Sequence, residues 1–83
     1  MPLFYFDVVD DGSMVSDDWG IELNDMDEAA RQAQALIVDI ARERLPSDGR
    51  KDVSVDVRCD GRNRFQARLT IRGEWHLAPG LAG

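Results

Sequence analysis

The sequence predicts an α+β fold in two layers, with one long helix packed on one face of a four-stranded, largely antiparallel sheet. Three features favour it: an Asp-Gly turn between two strand-like segments, one amphipathic helical segment, and two strictly alternating segments after that helix. The predicted order is strand, strand, helix, strand, strand (ββαββ). Residues 1–77 are expected to form one domain, and residues 78–83 a disordered C-terminal tail.

Residues 3–9 form the first predicted strand, because aromatic and β-branched side chains dominate this segment. Side chains alternate across a strand, which separates two faces. The face expected to lie on the core carries Phe4, Phe6 and Val8, and the other carries Tyr5, Asp7 and Val9.

A hairpin is predicted at Asp11-Gly12, since a type I′ turn needs positive φ at both central positions. This turn pairs Val8 with Val15 and Val9 with Met14. The return strand weakens at Asp17-Asp18 and is expected to resume at residues 21–23 after a bend at Gly20. An apolar cluster of Tyr5, Val9 and Met14 then faces away from the core.

The helix is predicted over residues 26–45. Asp25 has the position of an N-cap, with Glu28 at the spacing of a capping box, and Pro46 ends the helix. Val38 and Leu45 lie beside the apolar stripe, as shoulder contacts or as part of an oligomer face. The stripe itself consists of Met26, Ala29, Ala30, Ala33, Leu36, Ile37, Ile40 and Ala41.

Residues 53–59 and 65–72 alternate cleanly and are predicted to form the second hairpin. Two registers keep the apolar faces together. One sets Arg58 opposite Arg64, which like charges disfavour. The other has a loop over residues 60–64 and sets Asp56 opposite Arg68. The second register is preferred, because opposite charges then face each other.

Charge is distributed unevenly along the 83 residues, whose net charge is −6. Residues 1–30 contain nine acids and no Lys or Arg, whereas residues 31–83 contain ten bases and seven acids. Two interpretations remain open: the halves lie side by side and neutralise each other, or copies of the chain associate head to tail.

The second hairpin places arginines 58, 64, 68 and 72 where they can line the open face of the sheet. Such a row suits a phosphate backbone or an acidic protein. Neutralisation by Asp52 and Asp56 is the favoured interpretation. Because no aromatic side chain interleaves with the row, bases have no stacking platform and nucleic acid is not the expected partner.

Other candidate sites have simpler explanations. The acids at positions 10, 11, 17 and 18 offer oxygen ligands to a cation, but they match no EF-hand spacing and also suit a solvated turn. Cys59 and His76 are the single thiol and the single imidazole, and Cys59 is expected on the buried face. Trp19 and Trp75 either cover the ends of the core or anchor an interface. No catalytic residue, metal or cofactor is expected.

Some classes of protein are excluded. One cysteine permits no internal disulfide and no multi-cysteine zinc site. No apolar run approaches the length of a membrane span, and residues 1–4 have no basic character of a signal peptide. A cytoplasmic location is therefore expected.

The N-terminal half resembles a family of short bacterial proteins, mainly from alphaproteobacteria including rhizobia, known only as a domain of unknown function. The resemblance covers about the first 35 residues and supplies no activity; members often have His where this chain has Asp7. It is carried by Met1-Pro2, Phe4-Tyr5-Phe6, Val8, Asp10, Gly20, Glu22-Leu23, Asp25 and Ala29-Ala30. A weaker similarity to HicB-type antitoxins implies a toxin partner.

The leading functional hypothesis is a non-enzymatic cytoplasmic interaction or accessory domain that self-associates. Its predicted interaction surface comprises Tyr5, Val9, Met14, Arg58, Arg68 and Arg72. The alternative is an antitoxin-like regulator that binds a toxin or nucleic acid. A third hypothesis is a small metal-dependent or thiol enzyme.

Overall fold

The computed structural model describes residues 1–43 and 49–76 and has the predicted α+β fold. The predicted helix end at residues 44–46 and the predicted tail lie outside the described residues. In chain order the elements are β1 (Leu3–Asp10), β2 (Ser13–Val15), β3 (Ile21–Glu22), α1 (Met26–Glu43), β4 (Arg50–Cys59) and β5 (Arg62–Arg72). The strand order is β2-β1-β4-β5, all neighbours are antiparallel, and β3 also pairs with β1.

The first hairpin has the predicted turn and register. Asp11 and Gly12 adopt φ values of 49° and 87°, as a type I′ turn requires. Val8 lies opposite Val15 and Val9 opposite Met14. The return strand is split into β2 and β3, with residues 16–20 between them.

The helix begins where the cap predicts. The Glu28 N–H donates to Asp25 Oδ1 over 2.9 Å, which is the N-cap bond that satisfies a free amide of the first turn. The Glu28 carboxylate accepts from the Asn24 side-chain amide at 2.9 Å. The apolar stripe faces the sheet as predicted, and its buried members are Ala29, Ala33, Ile37 and Ala41.

The core lies between α1 and the strands β1, β4 and β5. Val53, Val55 and Val57 on β4 are fully buried, and each contributes roughly 1.5–3 kcal/mol relative to an exposed valine. Ala29 and Ala33 are equally inaccessible. Their small side chains place the helix backbone close to the sheet.

The preferred register of the second hairpin was wrong. β4 and β5 pair Asp56 with Gln66, and a two-residue turn at Asp60 and Gly61 replaces the predicted five-residue loop. A register shift between Val57 and Arg58 sets Arg58 opposite Asn63. This β-bulge removes the Arg–Arg clash that had counted against the observed register. The turn has φ values of 55° and 73°, so the second Asp-Gly pair acts like the first.

Candidate functional site

An ion pair between a buried carboxylate and a partly exposed guanidinium joins the two inner strands on the sheet face away from the helix. Asp7 on β1 is 3% exposed, and Arg58 on β4 donates to its carboxylate from Nε at 2.6 Å and from Nη2 at 3.2 Å. The hydrogen bond from Arg58 lowers the pKa of Asp7 despite the opposing effect of burial. Asp7 is therefore ionised and held by a bidentate contact.

Asp17 fills the gap that the split return strand leaves beside β1. Its Oδ2 accepts the Phe6 N–H at 3.0 Å, between the section of β1 paired with β2 and the section paired with β3. Its Oδ1 accepts the N–H groups of Trp19 and Gly20 at 3.0 and 3.2 Å. Burial raises the pKa of Asp17, but these three backbone donors outweigh burial and the net shift is downward.

The two aspartates and the arginine form one network. The Asp17 N–H donates to Asp7 Oδ1 at 2.9 Å, and Arg58 Nη2 donates to the Asp17 carbonyl oxygen at 3.0 Å. Arg58 also lies 4.9 Å above the centre of the Tyr5 ring, as in a cation–π contact. The network holds residues 16–20 against the sheet.

Gly20 permits this approach. It has a φ of +76°, and a Cβ built there meets the Tyr5 ring at 3.0 Å. A larger residue at position 20 thus combines a left-handed backbone with a close contact. Within the predicted interaction surface, Tyr5 and Arg58 are engaged with their own chain, whereas Met14 is exposed.

A second ion pair lies on the helix side of the sheet. The Lys51 ammonium is buried and contacts the Asp10 carboxylate, with Asp11 Oδ2 at 3.5 Å. The hydrogen bond with Asp10 raises the pKa of Lys51. Asp10 and Asp11 therefore contact Lys51, Asp17 belongs to the central network, and Asp18 is exposed. Among the described residues no group of three His, Cys, Asp or Glu side chains has the arrangement of a metal site.

The arginine row on the open face is largely neutralised, though not by the predicted pairs alone. Arg68 contacts Asp52 at 3.3 Å, and both side chains are more than half exposed. Arg72 contacts Glu74 at 3.4 Å. Asp56, expected to face Arg68, instead accepts from the Gln66 side chain at 2.7 Å.

The two tryptophans do not cover the core. Trp19 is 89% exposed and Trp75 is 95% exposed, so the interpretation of both as covers of the core was wrong. Trp19 belongs to a set of large apolar side chains that project from one border of the sheet. The set consists of Met14, Val15, Trp19 and Ile21.

We call the border formed by residues 13–22, from the start of β2 to the end of β3, the acidic edge. Besides its apolar side chains it carries Asp17, Asp18 and Glu22, and it has no Lys or Arg. The opposite border of the sheet is the basic edge, strand β5. It carries arginines at 62, 64, 68 and 72 and no acid. The charge asymmetry of the sequence thus becomes an asymmetry between the two borders of one sheet.

Cys59 and His76 lie near opposite ends of the second hairpin. Cys59 is a buried free cysteine at the end of β4, opposite Arg62, whereas His76 follows the far end of β5. The ten residue-to-residue steps from Arg62 to Arg72 span roughly 33 Å. The structure therefore does not bring the thiol and the imidazole together.

Sequence reasoning missed the network around Asp7. A carboxylate inside an otherwise aromatic and β-branched strand was the available signal, since a buried acid needs a cation. The split after β2 was expected at Asp17-Asp18, but the function of Asp17 as a hydrogen-bond acceptor for Phe6 was not.

The chain is thus a small α+β domain. Charged side chains at the centre of its sheet pair with one another, and exposed acids and arginines lie at its two borders. Residues 3–72 match the family described as "Domain of unknown function (DUF6894)", and the chain belongs to that family. Comparison with curated proteins and with solved structures found no significant match. Within the described ranges, no helix has the length and apolar character needed to cross a membrane.

Proposed function

We propose that this chain is a non-enzymatic protein-interaction domain of the bacterial cytoplasm that associates with copies of itself. The observation that carries the proposal is the exposure of four large apolar side chains within the acidic edge. Val15 is 68% exposed and Ile21 is 49% exposed, next to the nearly free indole of Trp19. Single exposed apolar residues are ordinary, whereas several along one border of a sheet suit a contact with another chain.

The shape of this border supports the same proposal. β2 has three residues and β3 has two. The acidic edge therefore offers side chains for contact rather than a long row of unpaired backbone N–H and C=O groups. Trp and Met are enriched in protein interfaces and Trp often dominates their binding energy. The interaction surface proposed from the structure therefore includes Met14 and extends to Val15, Trp19 and Ile21.

The two tryptophans provide a matched test. Trp19→Ser and Trp75→Ser each remove one exposed indole, but only Trp19 belongs to the acidic edge. Size-exclusion chromatography with light scattering over a concentration series is expected to show self-association of the wild type and of Trp75→Ser, and weaker association of Trp19→Ser. A wild-type chain that stays at its monomer mass of 9.3 kDa at all concentrations contradicts the proposal.

An antitoxin-like regulator that binds a toxin or nucleic acid is the second proposal, and the four arginines of the basic edge favour it. The arginines share their face of β5 with Gln66 and Thr70 rather than with aromatic side chains, so bases have no stacking platform there. Nucleic-acid binding depends steeply on salt. A binding assay with single-stranded and duplex RNA and DNA is expected to show no salt-sensitive complex; such a complex, weakened by Arg68→Glu, favours the second proposal.

A further inference from the structure

Strand β5 borders the sheet with eleven residues, Arg62–Arg72, and pairs only with β4 among the described elements. One side of its backbone is therefore not used by any described strand. Such an edge is a template for another strand unless charge, proline or a covering segment blocks it. Its regular part, residues 65–72, contains no proline and no acid.

The charge of this strand determines which partner suits it. Two β5 strands paired with each other bring two arginine-rich strands side by side, and like charges close together across a strand pair are destabilising. A symmetric dimer through the basic edge is therefore disfavoured. A complementary partner is a segment that combines apolar residues with acids.

The acidic edge of a second copy has that chemistry. Asp18 and Glu22 are exposed there beside Met14, Val15 and Trp19. On the basic edge, Phe65, Leu69 and Ile71 are half-buried, and Phe65 and Leu69 pack against the core, so each exposes only part of its surface beside the arginines. Each border thus has some exposed apolar surface beside charges of one sign, and the two signs are opposite.

We propose that the basic edge of one copy binds the acidic edge of the next, so that the chain assembles head to tail. This inference rests on the proposed self-association and specifies its geometry. The two borders lie on opposite sides of the sheet, and a contact between unlike surfaces leaves one of each free at the ends. Assembly therefore proceeds beyond the dimer unless the rotation between copies closes a ring.

Two double variants disable one border each. Arg64→Glu with Arg68→Glu reverses charge on the basic edge, and Val15→Lys with Asp18→Lys does so on the acidic edge. All four side chains are exposed, so folding is expected to persist and is checked by circular dichroism. The matched controls are on the exposed face of α1: Arg31→Glu with Arg42→Glu, and Val38→Lys with Asp39→Lys.

Sedimentation velocity measures the outcome. The wild type and both controls are expected to give a mass that rises with concentration past the dimer, whereas each edge variant alone sediments as a monomer. Equimolar mixing of the two edge variants restores association, because each supplies the border that the other lacks. Symmetric self-association predicts no such rescue.

The possible outcomes distinguish head-to-tail assembly from self-association in general. A monomeric wild type overturns both. A wild type that stops at a dimer, or one whose association survives charge reversal on β5, overturns head-to-tail assembly while self-association stands. Monomeric edge variants that fail to associate when mixed also overturn it.

Discussion

Charged side chains at the centre of this sheet include a buried carboxylate in an ion pair, whereas those at its borders are mostly exposed. At the centre, Asp7 is buried and receives two hydrogen bonds from Arg58. At the basic border, Arg68 meets Asp52 with both side chains mostly in water. A buried pair cannot lose one member without leaving an uncompensated charge, whereas an exposed pair contributes little. Charge thus supports folding at the centre and remains available for contacts at the borders.

The largest difference is expected when one arginine is removed from the centre of the sheet and, separately, one from its basic border. Arg58→Ala leaves the Asp7 carboxylate buried without its cation, and we expect a loss of about 3 kcal/mol in the free energy of unfolding. Arg68→Ala removes an exposed ion pair and should cost less than about 1 kcal/mol. Urea unfolding measures both. Equal losses contradict the distinction between centre and border.

The next effect concerns the segment that the network holds in place. Gly20→Ala should destabilise the chain by about 2 kcal/mol, because the new Cβ meets Tyr5 and the residue has positive φ. Gly12→Ala is the control: it has positive φ, but nothing lies within 4 Å of its Cβ. We expect it to cost about 1 kcal/mol. A Gly12→Ala cost equal to that of Gly20→Ala removes the contribution of the Tyr5 contact.

Protonation of the aspartates in the central network should have a smaller effect on the free energy of unfolding, because the side chains stay in place. The pKa values of Asp7 and Asp17 are lowered in the folded state. The stability they contribute is therefore fully present above the ordinary aspartate pKa of about 3.9 and is lost as pH falls through the lower folded values.

The test is the free energy of unfolding in urea from pH about 5 downward. Wild-type stability should fall on acidification, and Asp7→Asn should show a shallower fall, since one of the carboxyls with a lowered pKa is gone. An identical pH dependence in the two proteins means that Asp7 is not a source of the acid sensitivity.

The smallest effect on stability is expected at the acidic edge. Val15→Ser and Val38→Ser both alter exposed valines and should change the free energy of unfolding by less than about 0.5 kcal/mol. Only Val15→Ser should weaken self-association in light scattering. A large loss of stability from Val15→Ser would instead mark the acidic edge as part of the core.

Local chemistry explains what the sequence predicts well. The Asp11-Gly12 turn, the Asp25 cap and the apolar stripe of α1 each depend on residues close together in the chain, and all three are confirmed. The buried valines of β4 follow from alternation alone. At these positions the structure agrees with what local chemistry predicts.

The features that sequence reasoning missed depend on distant partners. Arg58 was considered against residues of β5, but Asp7, 51 positions away, is its partner in the central network. A bulge at Arg58 then removes the repulsion that had excluded the observed register. Nor does alternation give the order of the strands, and that order is what places the acidic and basic segments at opposite borders of the sheet.

Amide hydrogen exchange on the wild type, followed residue by residue at low and high protein concentration, locates the contact between copies. Head-to-tail assembly predicts that amides of β5 facing away from β4, together with those of residues 13–18, gain protection as concentration rises, while those of β1 and β4 do not change. Concentration-independent exchange along β5, or new protection confined to the exposed face of α1, would contradict it.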